Sequence, residues 1–119
     1  MKPEIRLKRV YDDPSSDDGF RVFVDRLWAR GVTKEAAGID VWARELTPSN
    51  ELRQWFHADS SRHADFERRY LMELEERKDE IELLIESLQT HSTITLVTAT
   101  RDLVNGHAAI LRSFLVSMP

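Results

Sequence analysis

GFRVFVDRLWARG (Gly19 to Gly31) and TITLVTATRDLVNGHA (Thr93 to Ala108) share one design. Each is a run of β-branched and aromatic residues that stops abruptly at an Asp and an Arg, so each reads as a buried strand that delivers charge at its carboxyl end. Phe20, Val22 and Val24 fall on one face of the first strand and Phe23 on the other. Both faces carry apolar bulk and both need cover, the mark of a central strand in a parallel sheet. Open α/β sheets bind ligands at the carboxyl ends of their strands. The two runs therefore point to a place and a kind of chemistry, an Arg-rich site suited to an anion.

Outward from these runs, IRLKR (Ile5 to Arg9) alternates apolar and basic residues, as an edge strand does. VYDDPSSDDG (Val10 to Gly19) concentrates turn-forming residues, and Asp12 to Asp18 offers almost no apolar anchor, so this segment is expected to be a mobile loop. Thr33 is placed to cap a short helix that Gly38 ends. Ile39 to Leu46 is read as a strand, although its periodicity also fits an irregular segment. From Ser49 to Asn105 there is no Gly and no Pro, the composition of continuous helix and strand. Three helices follow in that stretch: one capped by Ser49 and running through Phe56, one from near Arg62, and one opened by Asp79 and Glu82 as a capping box. A last helix covers Gly106 to Val116. The expectation is an α/β fold: a single small domain over residues 1–119, with a mostly parallel sheet of about three or four strands covered by helices.

Composition sets limits. A chain of 119 residues can bury a core without staples, and the absence of cysteine excludes disulfides, thiolate nucleophiles and Cys-bound zinc. The amino terminus, MKPEIRLKRVYDD, has no apolar signal region, and no segment approaches the roughly 18 apolar residues of a membrane span. A cytoplasmic chain without a membrane partner is expected. The net charge of −4 has its acidic excess in the Glu-rich stretch from Asp65 to Glu86, so no long basic stripe for duplex nucleic acid is visible.

The residues singled out for chemistry are Asp25, Arg26, Arg30, Arg101 and Asn105 as ligand-binding groups, with Asp102 and His107 as acid/base candidates. Guanidinium groups bind phosphate or carboxylate bidentately, a neighbouring Asp can hold the fork, and an imidazole moves protons near neutrality. The start of the last helix adds free N–H groups at the same place. The competing reading is that these charges only knit strand ends together. His57, Asp59 and His63 match no zinc spacing, and Asp59 or a nearby Ser is better read as a helix cap. No metal and no cofactor is expected. Each Trp lies two residues from an Arg, which suits core packing under a snorkelling Arg and, alternatively, stacking on unpaired bases.

The strings LKRVYD, DGFRVFVDRLWARGV, WARELTPSNELRQWF and TLVTATRD together resemble the YeaO-like proteins, a branch of domain-of-unknown-function family 488. The resemblance runs over about residues 5 to 115 and implies a small cytoplasmic α/β protein with no established reaction. It also implies a first motif of the form R-L-W-P-R-G, where this chain has Ala29, and a Trp at the position of His63. Other branches are implied to carry a Cys and a Cys-His-Arg after the last strand, and their thiol chemistry does not transfer to a chain without cysteine. Two readings of function stay open: an Arg-lined pocket for a phosphorylated or anionic small molecule, in a binding protein or a small enzyme, and an RNA- or protein-binding module using the Trp and Arg surface.

Overall fold

A computed structural model of the chain describes residues 3–118. Four strands form one sheet: β1 (Glu4–Arg9), β2 (Phe20–Phe23), β3 (Val41–Trp42) and β4 (Thr93–Thr98), in the order β1-β4-β2-β3 and all parallel. The two runs with apolar bulk on both faces are the two central strands, with Val22 opposite Leu96 and Phe23 opposite Val97. The alternating IRLKR segment is an edge, as its pattern requires. Among the described residues there are five α-helices: α1 (Lys34–Ala37), α2 (Asn50–Ala58), α3 (His63–Glu76), α4 (Lys78–Leu88) and α5 (His107–Ser117).

The sheet's two faces are covered differently. Ile5, Val22, Val24, Ile94 and Leu96 meet α2 to α5 through Leu52, Phe66, Tyr70, Leu74, Ile81, Leu111 and Phe114. Tyr70 and Leu111 are wholly buried, and side chains of that size each stabilise the fold by roughly 1.5–3 kcal/mol. On the other face, Phe23 and Val97 pack under Ala29, Ala37, Trp28 and Trp42. Helical cover of both faces was the expectation. Here one face is closed by a single helical turn and a loop, because two indoles and Phe23 in mutual contact fill the space a long helix would take.

Thr33 and Gly38 bound α1 as expected: the Thr33 side chain accepts from Ala36 N, and Gly38 takes the left-handed conformation with φ 59°. Ser49 likewise caps α2. Two expectations are corrected, and the expected loop before Gly19 gains a local anchor at its end. The strand expected over Ile39 to Leu46 shrinks to two residues, because the chain turns inward through a 3-10 turn at Arg44–Leu46 that buries Leu46. α4 does not open on a capping box; it starts one residue after Arg77, which joins it to α3 and whose guanidinium holds the carbonyls of Glu45 and Thr47. The segment before Gly19 is anchored without apolar residues. Ser15 caps a 3-10 turn at Ser16–Asp18, and the Asp18 carboxylate is buried against Arg21 Nη1 and Lys8 Nζ.

That ion cluster is fully partnered. Arg21 Nε and Nη2 donate to the Ala37 carbonyl at 3.1 and 2.9 Å, so the guanidinium ties β2 to both α1 and the preceding turn. Burial alone would raise the Asp18 carboxyl, but hydrogen bonds from Ser15, Lys8 and Arg21 outweigh it and hold the group below its ordinary value. Removing one member of a buried pair leaves the other charge uncompensated, typically a loss of about 3–5 kcal/mol. Because Lys8 stays beside Asp18, Arg21→Met is expected to fall near the lower end, about 3 kcal/mol. Urea denaturation of wild type and variant measures it, and a loss below roughly 1 kcal/mol would show that the cluster contributes little.

Candidate functional site

β2 and β4 end side by side, and the backbone after each delivers an acidic residue. Asp25 follows β2 and accepts three hydrogen bonds: from Thr98 Oγ1 at 2.6 Å, from Ala99 N at 2.8 Å and from His107 Nε2 at 3.0 Å. His107 is the first residue of α5, and its Nε2 also lies 2.9 Å from the Val24 carbonyl. Both neighbours of Nε2 are acceptors, so this nitrogen carries a hydrogen. Burial would raise the Asp25 carboxyl, and the hydrogen bond and charge of His107, with Thr98 and Ala99, outweigh it and lower it.

Above this junction lies a cavity of about 320 Å³. Asp25, Arg26, Asn105 and His107, four of the residues singled out from the sequence, line it. Arg26 is oriented by donating from Nε to the Pro48 carbonyl at 3.2 Å. Asn105 sits in the loop before α5, and its carbonyl accepts from His63 Nε2 at 2.7 Å. Gly106 lets this loop fold tightly, since a Cβ there would stand 2.7 Å from the Asp102 carbonyl. The amino end of α5 has no side-chain cap, so its free N–H groups and the positive end of its dipole face the strand ends.

Arg30, Arg101 and Asp102 are not brought in. All three are exposed and none lines the cavity. Asp102 instead closes the turn before α5, accepting from Val104 N, Asn105 N and Asn105 Nδ2. Those bonds, Asn105's side chain first, hold its carboxyl below the ordinary value. The convergence expected of Arg26, Arg30 and Arg101 therefore reduces to Arg26, because the chain after each strand turns sharply and points the later arginines outward.

Two cationic or titratable residues that the strand pattern did not single out take their places. Arg53 and His57 project from α2 into the lining, with Phe56 and, from α3, Phe66. Their i, i+4 spacing puts them on one helix face, and that spacing was the available signal. Arg53 Nη2 donates to Asn50 Oδ1 at 2.8 Å. Its Nε is shut off from solvent and has no hydrogen-bond partner among the described residues. Also among the described residues, no group of three or more His, Asp or Glu is placed to hold a metal ion, and no helix is long and apolar enough to cross a membrane. Asp59 caps the 3-10 turn at Ser60–Arg62.

Residues 4–118 match the family model described as the inactive DUF488-N3 subclade. The chain belongs to the DUF488 family. Within it, an uncharacterized protein of Mycobacterium tuberculosis is 40% identical over 111 residues, 93% of this chain and 92% of that one. The uncharacterized protein YeaO of Escherichia coli is 38% identical over 114 residues, 96% of this chain and 98% of its own length. No solved structure matches the chain.

The lowered Asp25 carboxyl makes a stability prediction with a definite sign. A folded-state value below the unfolded one contributes stability above the unfolded value, about 3.9, that disappears as pH falls through the folded value. Asp25→Asn, whose amide cannot accept at all the positions the carboxylate serves, is expected to lose about 2 kcal/mol at pH 7. The gap between wild type and variant should close as pH drops below about 3.9. Denaturant unfolding at pH 7 and in the acid range measures it; a gap that does not change with pH would mean the charge of Asp25 is irrelevant to the junction.

Proposed function

We propose that this chain is a small-anion-binding protein whose pocket lies at the carboxyl ends of β2 and β4, and that it holds its ligand rather than transforming it. The observation that carries the reading is that Arg26, beyond the end of β2, and Arg53, from α2, both line the cavity. The uncapped start of α5 adds positive potential at the same wall. A phosphorylated small molecule suits two guanidinium forks and a helix amino end.

Binding without turnover is favoured by the makeup of the site. There is no cysteine to act as a nucleophile, Asp102 is occupied by its turn, and the description of the matched subclade carries the word inactive. Asp25 acts through His107, whose imidazole it fixes at the cavity wall. The rival nucleic-acid reading loses support because the indoles already carry cations. Arg44 lies 3.8 Å over Trp42, and Arg62 and Arg69 lie 4.8 and 4.4 Å over Trp55. The reading keeps the cytoplasm as the setting, since a chain without cysteine gains nothing from an oxidising compartment.

Calorimetric titration with inorganic phosphate and pyrophosphate tests this. Arg53→Met and Arg26→Met should each weaken binding by about 1.5–3 kcal/mol, roughly ten- to a hundred-fold. Arg101→Met should change little, because that side chain is exposed and outside the lining. No binding by wild type at millimolar anion, or an equal loss in Arg101→Met, would overturn the proposal.

A further inference from the structure

We infer that the pocket, granted the anion-binding reading above, takes a flat aromatic anion, a ring and an anionic group in one molecule of about mononucleotide size, in preference to a bare anion. A cavity of about 320 Å³ is far larger than inorganic phosphate needs and sits at the low end of small-molecule sites. Most of its lining is apolar: Leu27, Pro48, Phe56 and Phe66 share the wall with Arg26 and Arg53. An anion alone would leave that surface facing water.

The aromatic residues of α2 and α3 lead to the same cavity. Tyr70 contacts Phe66 at 6.0 Å between centroids with the rings tilted by 34°, and Phe66 stacks on Phe56 at 4.4 Å with a tilt of 27°. Phe66 and Tyr70 are buried, whereas Phe56 is only half-buried and lines the cavity. Phe56 is met edge-on by His63 at 6.2 Å and also borders the cavity, where a further ring can lie beside it. Leu27 adds a second indication: it is 63% exposed although it lines the cavity, and a bound ring would cover it. Large exposed apolar side chains bordering a concavity are a common feature of ligand sites. Polar residues for the edge of a ring stand in the same lining: Thr100, Asn105 and His107.

The ring can come with a phosphate, as in a nucleotide, or with a carboxylate. Calorimetry on the full chain with inorganic phosphate, ribose 5-phosphate, AMP and indole-3-acetate separates these sources. At least one ring-bearing probe should bind roughly ten-fold more tightly than phosphate and ribose 5-phosphate, the scale of one base–aromatic stack. Preference for AMP assigns the phosphate source, and preference for indole-3-acetate the carboxylate source. Phe56→Leu, which keeps apolar bulk and loses the ring, should reduce that advantage to about two-fold while leaving ribose 5-phosphate affinity unchanged. Leu27→Ser, at an exposed position that the fold does not need, should reduce it in the same direction and guards against a Phe56 variant that misfolds. Ring probes that bind no better than ribose 5-phosphate, or an advantage that survives both substitutions, overturn the inference; Arg53-dependent binding of phosphate would then leave the simpler anion pocket standing. Absence of binding by every probe overturns both.

Discussion

Asp25 sits where three parts of the chain must agree. Its carboxylate accepts from the side chain of Thr98 and the backbone of Ala99 at the end of β4, and from the imidazole that begins α5, while its own backbone continues β2. A half-buried carboxylate is stable in such a place only if its lone pairs are met, and here each donor comes from a different element or turn. The geometry of the cavity follows from that requirement. Fixing the start of α5 beneath the strand ends places Gly106 and His107 in the wall, and fixing β2 against β4 sets the direction in which Arg26 leaves the sheet. A change at Asp25 therefore alters the site through position before it alters it through charge.

The two faces of the sheet divide the work. The helical face supplies most of the apolar burial and, through α2 and α3, the aromatic side of the cavity. The opposite face is closed by Trp28 and Trp42 at one end and by the Asp18–Arg21–Lys8 cluster at the other. Indole nitrogens there are satisfied by backbone carbonyls: Trp42 donates to Asp25 at 2.6 Å and Trp28 to Val32 at 2.7 Å. The loop after β2 is thus held in place by hydrogen bonds as well as by packing, which lets an irregular segment do what a helix does in most parallel sheets.

How much of this was legible in the sequence depended on the range of the interaction. The strands at residues 20–24 and 94–99 were visible because a parallel strand buried on both faces leaves an apolar run in the chain itself, and the caps at Thr33 and Ser49 because a cap is a local hydrogen bond. Asp25, Arg26, Asn105 and His107 were legible as the ends of those runs. Arg53 and His57 were not, since they reach the cavity only when α2 packs across the strand ends; their i, i+4 spacing puts them on one helix face without saying what that face meets. Arg30 and Arg101 misled for the same reason in reverse: they share the local pattern, but the turn that follows each strand directs them to solvent. The burial of Asp18 was hidden because its partners, Lys8 and Arg21, are charged residues that composition alone assigns to the surface.

The strand order has a consequence for how the chain comes into being. β4, made last, lies between β1 and β2 and pairs with both, so Ile5 must wait for Ile94 and Val22 for Leu96. Before β4 is made, three strands are present, and of these β2 and β3 alone pair, over two residues, while β1 has no neighbour to join it. Contacts of such long sequence separation are slow to form, because the loop-closure entropy is lost before the pairing returns any stability. The sheet stays open at its centre until β4 emerges, and then the sheet, the junction at Asp25 and the pocket wall assemble together.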